Sequence, residues 1–256
     1  MHQKNGIWRL LFITSVVTVV LLIVGFGYAA SSVLFPPSGG VVVTEPEEEI
    51  VEPGTIRLIA IGDSITNGFG DESGNGGYAS IVRDALKEEE DIEQVVFANF
   101  AIDGYTTVDV LSDLNEKEGI KDEVKKADMI LMTIGANDLL PTSEEVNLEV
   151  VSGRRAEVLN NLQSIFTLIR EYNSEAQIVY TGLYNPFVEI DMDKQISIEI
   201  DSWNSDVFKL ATTFDNILVV RPDNLFHGDE FFAFDNYHPS FLGHERIAER
   251  IMQAIR

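Results

Sequence analysis

From Thr55 onward the chain alternates short runs that are apolar on both faces with longer helical segments. That alternation limits the possible folds more than any other feature. Strands are expected at residues 56–61, 94–98, 129–134, 178–181 and 217–220. Helices are expected at 78–89, 107–115, 143–172 (with a break near Gly153), 194–213 and 240–255. A strand with no polar face must be covered on both sides. Strands separated by helices therefore predict an α/β fold, a parallel sheet with helices on both faces. In such folds the working site lies outside the carboxyl ends of the strands, near the point where strand order reverses. No internal repeat interrupts the pattern.

The first 54 residues do not share it. Lys4 and Arg9 precede a stretch without charge from residue 10 to residue 30, 21 residues long. About 20 apolar residues suffice to cross a bilayer as a helix, whereas a cleavable signal has an apolar region of about 7–15. Positive charge on the short side predicts a cytoplasmic N-terminus at 1–9, a single-pass anchor at 10–30 and an exported remainder. Secretion after cleavage near Gly27-Tyr28-Ala29 is the alternative. Residues 31–54 mix Ser, Pro, Gly and an acidic run, which suits a spacer. The folded domain is expected at 55–256.

Composition removes several classes of function. The 256 residues include no cysteine, so a disulfide framework, a thiolate zinc site and a cysteine nucleophile are excluded. Formal charge is −24. Only Lys4 and Arg9 of the 18 basic residues precede Glu45, which leaves 16 of them among 42 acids in the remainder. So acidic a body is a poor partner for nucleic acid or for an anionic membrane surface, and membrane contact is expected through the N-terminal segment only.

Four small polar motifs follow apolar runs: Gly62-Asp63-Ser64, Asn99 to Gly104 (NFAIDG), Gly135-Ala136-Asn137-Asp138 and Asp235-Asn236-Tyr237-His238-Pro239. Each alone reads as a turn or a helix cap. Together they deliver the parts of one chemistry to the same rim of the expected sheet. A serine hydroxyl needs a base to take its proton, and histidine titrates near neutrality. An aspartate three residues before that histidine can reach back to Nδ1, fixing the tautomer and stabilising the imidazolium. The oxyanion formed by attack on an ester carbonyl needs donors set in advance. Candidates are the Ser64 N–H, the Gly104 N–H and the Asn137 amide. Gly104 suits that task because a residue without Cβ lets its backbone approach a ligand.

These blocks resemble the SGNH hydrolases, also called GDSL esterases and lipases: Ser64 in GDSIT, Gly104 in NFAIDG, Asn137 in GANDL and His238 in DNYHP. The resemblance spans residues 55–256. It implies a flavodoxin-like three-layer α/β/α sandwich with a five-stranded parallel sheet. It also implies Ser64 as nucleophile, His238 as base, Asp235 as its orienter, and Ser64, Gly104 and Asn137 as oxyanion donors. Exported bacterial relatives of this layout resemble lysophospholipase-type or acetylesterase-type enzymes. The Ile in GDSIT, where the family name has Leu, touches none of the catalytic groups.

Other features are expected to be structural. The stretch from Asp71 to Gly77 fails as a calcium loop, because Val82 stands at the twelfth position in place of a bidentate Glu, and is expected to be a flexible loop. Thr66 replaces the second glycine of the G-x-S-x-G elbow, which weighs against the larger α/β-hydrolase fold. His2, His227 and His244 form no cluster at ligand spacing, so no metal site is expected, and nothing calls for a cofactor. Asp63 and Asp138 are expected to brace loops, and Glu88–Asp91 to be solvated. The run Phe231-Phe232-Ala233-Phe234 suits local core or an apolar wall for an acyl chain.

The leading expectation is an exported, membrane-tethered serine esterase acting through an acyl-enzyme, on lipid-like acyl esters or on O-acetyl groups of glycans. Two alternatives stay open: an O-acyltransferase on cell-wall glycan, and a catalytically silent surface binding domain. Natural substrate and oligomeric state are not expressed in the sequence.

Overall fold

The structure is a computed structural model, which describes residues 18–19, 21–22, 26, 53–140, 148–188, 191–226 and 228–256. The chain divides into two units, Met1–Ile50 and Val51–Arg256. In the first, Thr18, Val19, Leu21, Leu22 and Phe26 are helical. The remainder of the expected span at 10–30 and the linker up to residue 52 lie outside the described residues. Among the described residues no helix is long and apolar enough to cross a membrane.

The second unit is built on five parallel strands: β1 (Thr55–Gly62), β2 (Gln94–Asn99), β3 (Met129–Thr133), β4 (Gln177–Thr181) and β5 (Ile217–Val220), in the order β2-β1-β3-β4-β5. The chain steps outward from β1 to β2, then crosses back to β3. The reversal therefore lies between β1 and β3, and a crevice opens at their carboxyl ends. The helices are α1 (Ser64–Asn67), α2 (Gly77–Leu86), α3 (Thr107–Glu116), α4 (Glu118–Lys126), α5 (Ala136–Leu139), α6 (Leu148–Tyr172), α7 (Gln195–Ala211) and α8 (Phe241–Ile255). A 3₁₀ turn covers Asp229–Phe231.

Successive side chains of a strand point to opposite faces, and β1 divides its residues accordingly. Ile59 and Ile61 enter a core with Val110, Leu114, Val124, Leu162, Phe166 and Val207, beneath α3, α4, α6 and α7. Leu58 and Ala60 enter a second core with Tyr78, Val82, Ile247 and Ile251, beneath α2 and α8. Burying an aliphatic side chain of this size is worth about 1.5–3 kcal/mol. With both faces of β1 and β3 filled, the apolar runs in the sequence have their physical explanation.

The sequence reading located every strand and the five longer helices. α6 runs unbroken through Gly153, since one glycine costs a helix only about 1 kcal/mol and a helix of 25 residues tolerates it. Its expected start at residue 143 lies outside the described residues. Three helices were not anticipated. α4 buries only Ile120 and Val124 among mostly charged neighbours, too thin a stripe to stand out. α1 and α5 are four residues each, shorter than any periodic signal.

Candidate active site

The end of β1 is pressed against the end of β3. Gly62 sits at φ +147, and a Cβ there would stand 2.0 Å from the Thr133 carbonyl oxygen. The Asp63 N–H donates to that same oxygen at 3.1 Å. The chain then turns into α1, with Asp63 as its N-cap, accepting from the Ile65 N–H at 3.1 Å. Ser64 is thus the first residue of a short helix that begins where the sheet ends.

Ser64 Oγ lies 2.9 Å from His238 Nε2, and His238 Nδ1 lies 2.6 Å from Asp235 Oδ2. A carboxylate accepts only, so Nδ1 carries the proton and Nε2 is left to accept from the serine hydroxyl. Asp235 reaches back because the chain between them is a tight turn. Asn236 adopts a left-handed φ of 53°, and Asp235 Oδ1 accepts from the N–H groups of Tyr237 and His238, both at 3.0 Å. The hairpin is closed by an antiparallel bridge between Phe232 and Pro239. Burial pushes the Asp235 carboxyl up, but the His238 ring and the two backbone donors outweigh it and hold it below the usual range. It therefore stays ionised beside the imidazole.

The other rim of the crevice carries Gly104 and Asn137. Gly104 has φ +80 with open space where a Cβ would point, so its glycine is required by backbone conformation rather than by crowding. Asn137, half-buried at the start of α5, donates one amide hydrogen to the Tyr105 carbonyl at 2.8 Å. This bond ties the loop after β3 to the loop after β2. Among the described residues no acceptor takes the Ser64 or the Gly104 N–H. Ser64, His238 and Asp235 thus meet in one chain of hydrogen bonds, and Asn137 is tied to the loop that carries Gly104.

Several supporting residues escaped the sequence reading. Beneath Ser64, Thr133 Oγ1 donates to Asp63 Oδ1 at 2.6 Å and lies 2.6 Å from Thr66 Oγ1, which lies 2.8 Å from the Tyr78 hydroxyl. Asp63 is 1% exposed and its Oδ2 has no partner. Burial pushes its carboxyl up to about 7 despite the bonds from Thr133 and the Ile65 N–H. Asn99 and Asn67 stitch the Ser64 turn to the Gly104 loop, Asn99 Nδ2 to the Thr66 carbonyl at 2.9 Å and Asn67 Nδ2 to Asp103 Oδ1 at 2.8 Å. The asparagine of NFAIDG was the visible signal for this contact. Asp138 accepts from the Thr107 N–H and hydroxyl at the start of α3. Asp63 and Asp138 are loop braces, as expected from the sequence.

Two expectations are refined. The stretch from Asp71 to Gly77, read as flexible, is knitted together: Asp71 accepts from the N–H groups of Ser73 and Gly77, and Glu72 from the Phe241 N–H. The phenylalanine run divides in function. Phe231 and Phe232 pack on Phe226, whereas Phe234 is 82% exposed and faces Phe69 at 6.3 Å. Phe69 in turn lies 4.4 Å from the His238 ring. His2 and His227 lie outside the described residues. A cleft of about 330 Å³ beside β5, lined by Phe208, Phe214 and Leu218, contains none of these groups. Chemistry rather than volume marks the rim as the site.

Residues 60–246 match the GDSL-like Lipase/Acylhydrolase family. The chain belongs to this family. The GDSL protein is an ester-bond hydrolase, and two of the proteins it resembles are lipases by name. It is 33% identical over 212 residues to the spore germination lipase LipC of Bacillus licheniformis, covering 78% of this chain and 96% of that one. It is 30% identical over 222 residues to YpmR of Bacillus subtilis (strain 168), covering 83% and 84%. Among solved structures, the lipase Lip_vut3 from a goat rumen metagenome superposes with a TM-score of 0.69 at 28% identity. That match covers 78% of this chain and 97% of that one.

Proposed function

We propose that this GDSL hydrolase cleaves acyl esters through a Ser64–His238–Asp235 triad and a covalent acyl-enzyme. The observation that carries the reading is the continuous hydrogen-bond chain from Ser64 Oγ through His238 to Asp235, at 2.9 and 2.6 Å. Ser64 Oγ attacks the ester carbonyl carbon while His238 Nε2 takes its proton. The carbonyl oxygen becomes an oxyanion facing the Ser64 and Gly104 N–H groups and the free amide hydrogen of Asn137. Collapse breaks the bond to the alcohol, which leaves with the proton from His238. Water then repeats the sequence on the acyl-enzyme, releasing the acid and restoring Ser64. Asp235 stays ionised throughout and holds the imidazole in its tautomer.

The acyl group in this reading is an apolar chain. Phe234, exposed and adjacent in sequence to Asp235, and Phe69, against His238, offer an apolar rim beside the base. The names of LipC and Lip_vut3 as lipases point the same way. We further place the domain outside the cell behind an uncleaved N-terminal anchor, on the strength of Lys4, Arg9 and the uncharged residues 10–30.

The test is hydrolysis of p-nitrophenyl esters of increasing chain length by the native chain and by Ser64→Ala. The variant should lose roughly 10³-fold or more in kcat, and the native enzyme should prefer medium or long chains. An active Ser64→Ala would end the mechanism, and exclusive use of acetate esters would end the assignment of the acyl group. Product analysis with glycan acceptors present separates hydrolysis from transfer.

A further inference from the structure

His244, on the first turns of α8, has no role in the chemistry above, yet it is 0% exposed and both of its ring nitrogens are engaged. Nδ1 accepts from the Tyr78 N–H at 3.2 Å, and Nε2 lies 3.0 Å from the Phe69 carbonyl oxygen. A backbone N–H can only donate and a carbonyl can only accept. The ring is therefore neutral with its proton on Nε2. It is also closely fitted: a Cβ on Gly77 would stand 3.0 Å from its Cε1 and Nδ1.

The residue it holds is wedged between the two halves of the triad. The Phe69 N–H donates to the Ser64 carbonyl at 2.9 Å, while the Phe69 ring lies against the His238 imidazole, centroids 4.4 Å apart. The next residue, Gly70, is so close to the base-bearing hairpin that a Cβ would stand 2.3 Å from the Pro239 carbonyl oxygen. Tyr237, on the hairpin itself, meets the imidazole edge-on at 5.0 Å. Asp235 and Ser64 engage the two ring nitrogens of His238, but two bonds leave the ring free to rock about the line that joins them. Phe69 limits that rocking, and His244 holds Phe69.

We propose that His244 is a positioning residue for the base: through the Phe69 carbonyl it fixes the aromatic ring that keeps His238 aimed at Ser64. The inference rests on the reading of Ser64 and His238 as nucleophile and base. It makes the neutral form of His244 the working one. A proton on Nδ1 would set a donor against the Tyr78 N–H and break one side of the clamp. The titratable groups facing it are Tyr78 on α2, Asp71 and Glu72 on the intervening loop, and His238 on the hairpin. Burial disfavours its charged form, and the Phe69 bond and the two carboxylates only partly offset this.

The experiment compares His244→Leu, His244→Gln and Phe69→Leu in the full chain. It reads kcat and KM on a soluble p-nitrophenyl ester and the His238 ring resonances by NMR. His244→Leu and Phe69→Leu should each lower kcat roughly 10–100-fold, the scale of a misplaced catalytic group. KM should change little, and the His238 resonances should shift in both. Glutamine offers an amide donor and an acceptor, so His244→Gln should recover much of the rate. A folded His244→Leu with unchanged kcat, or with lowered kcat and unmoved His238 resonances, overturns the proposal. Should His244→Leu not fold, Phe69→Leu decides by the same readouts, since its carbonyl and the His244 bonds persist. Ser64→Ala, run alongside, separates the two claims. If it stays active the triad reading fails, while the resonances still report on the clamp.

Discussion

Asn137 has two amide hydrogens, and the Tyr105 carbonyl takes one of them. The bond fixes the side chain before substrate arrives, and on the proposed reading the second hydrogen serves the oxyanion. On the proposed reading, Asn137→Ala should cost about 10²–10³ in kcat with little change in KM, measured at saturating ester. An unchanged kcat would remove Asn137 from the oxyanion site. Asp63 invites a different measurement. Burial pushes its folded carboxyl up to about 7 from the ordinary 3.8, so the native state holds a proton that the unfolded chain has released. That contribution to stability is complete below about 4 and is lost as pH rises through about 7. Asp63→Asn should therefore lose less stability than the native chain between about pH 5 and pH 8, as read from urea midpoints. Parallel pH curves for the two proteins would refute the burial argument. His244 has the opposite sign. Its folded pKa is lowered, so its share of stability is present at high pH and is lost as pH falls below its ordinary value of 6.5.

The two central strands show where sequence reasoning succeeds and where it stops. Runs apolar on both faces identified β1 and β3, because two-sided burial leaves a direct trace in composition. The motifs around Ser64, Gly104, Asn137 and His238 were legible for a related reason: on the proposed reading these residues cannot be exchanged without losing the chemistry. The floor beneath Ser64 left no such trace. Thr66 and Thr133 are 67 positions apart, and Tyr78 lies on another element. Their hydrogen bonds depend on register, and hydroxyls that bond one another look in sequence like any buried or exposed threonine. α4 was missed because a stripe of two buried residues is no pattern. The junction of β1 and β3 supports a sharp prediction. Gly62→Ala places a Cβ 2.0 Å from the Thr133 carbonyl at a φ of +147, so the strand ends must part. The backbone strain alone is worth about 1–3 kcal/mol. The variant should unfold at lower urea and lose kcat, since the same shift moves Ser64 away from Asn137. Wild-type stability and rate in this variant would contradict the close approach.

At the scale of the whole molecule, the net charge of −24 acts on every substrate that is itself charged. Ester hydrolysis in anionic vesicles should be slow at low ionic strength and rise as salt screens the repulsion, between about 0.02 and 0.5 M. Hydrolysis of a soluble neutral ester should stay flat over the same range. Equal salt response for both would mean that the surface charge does not reach the substrate. The direction of the strands has a practical corollary. β1 enters at Thr55 and runs eight residues, about 26 Å at the usual rise, before it reaches the Ser64 turn. The last residue, Arg256, pairs with Glu89 just ahead of β2, at the entry side of the sheet. Both ends of the catalytic unit therefore leave from the side remote from Ser64. Attached by either end to a bead, a cohesin or a display scaffold, the enzyme would turn its mouth toward the medium.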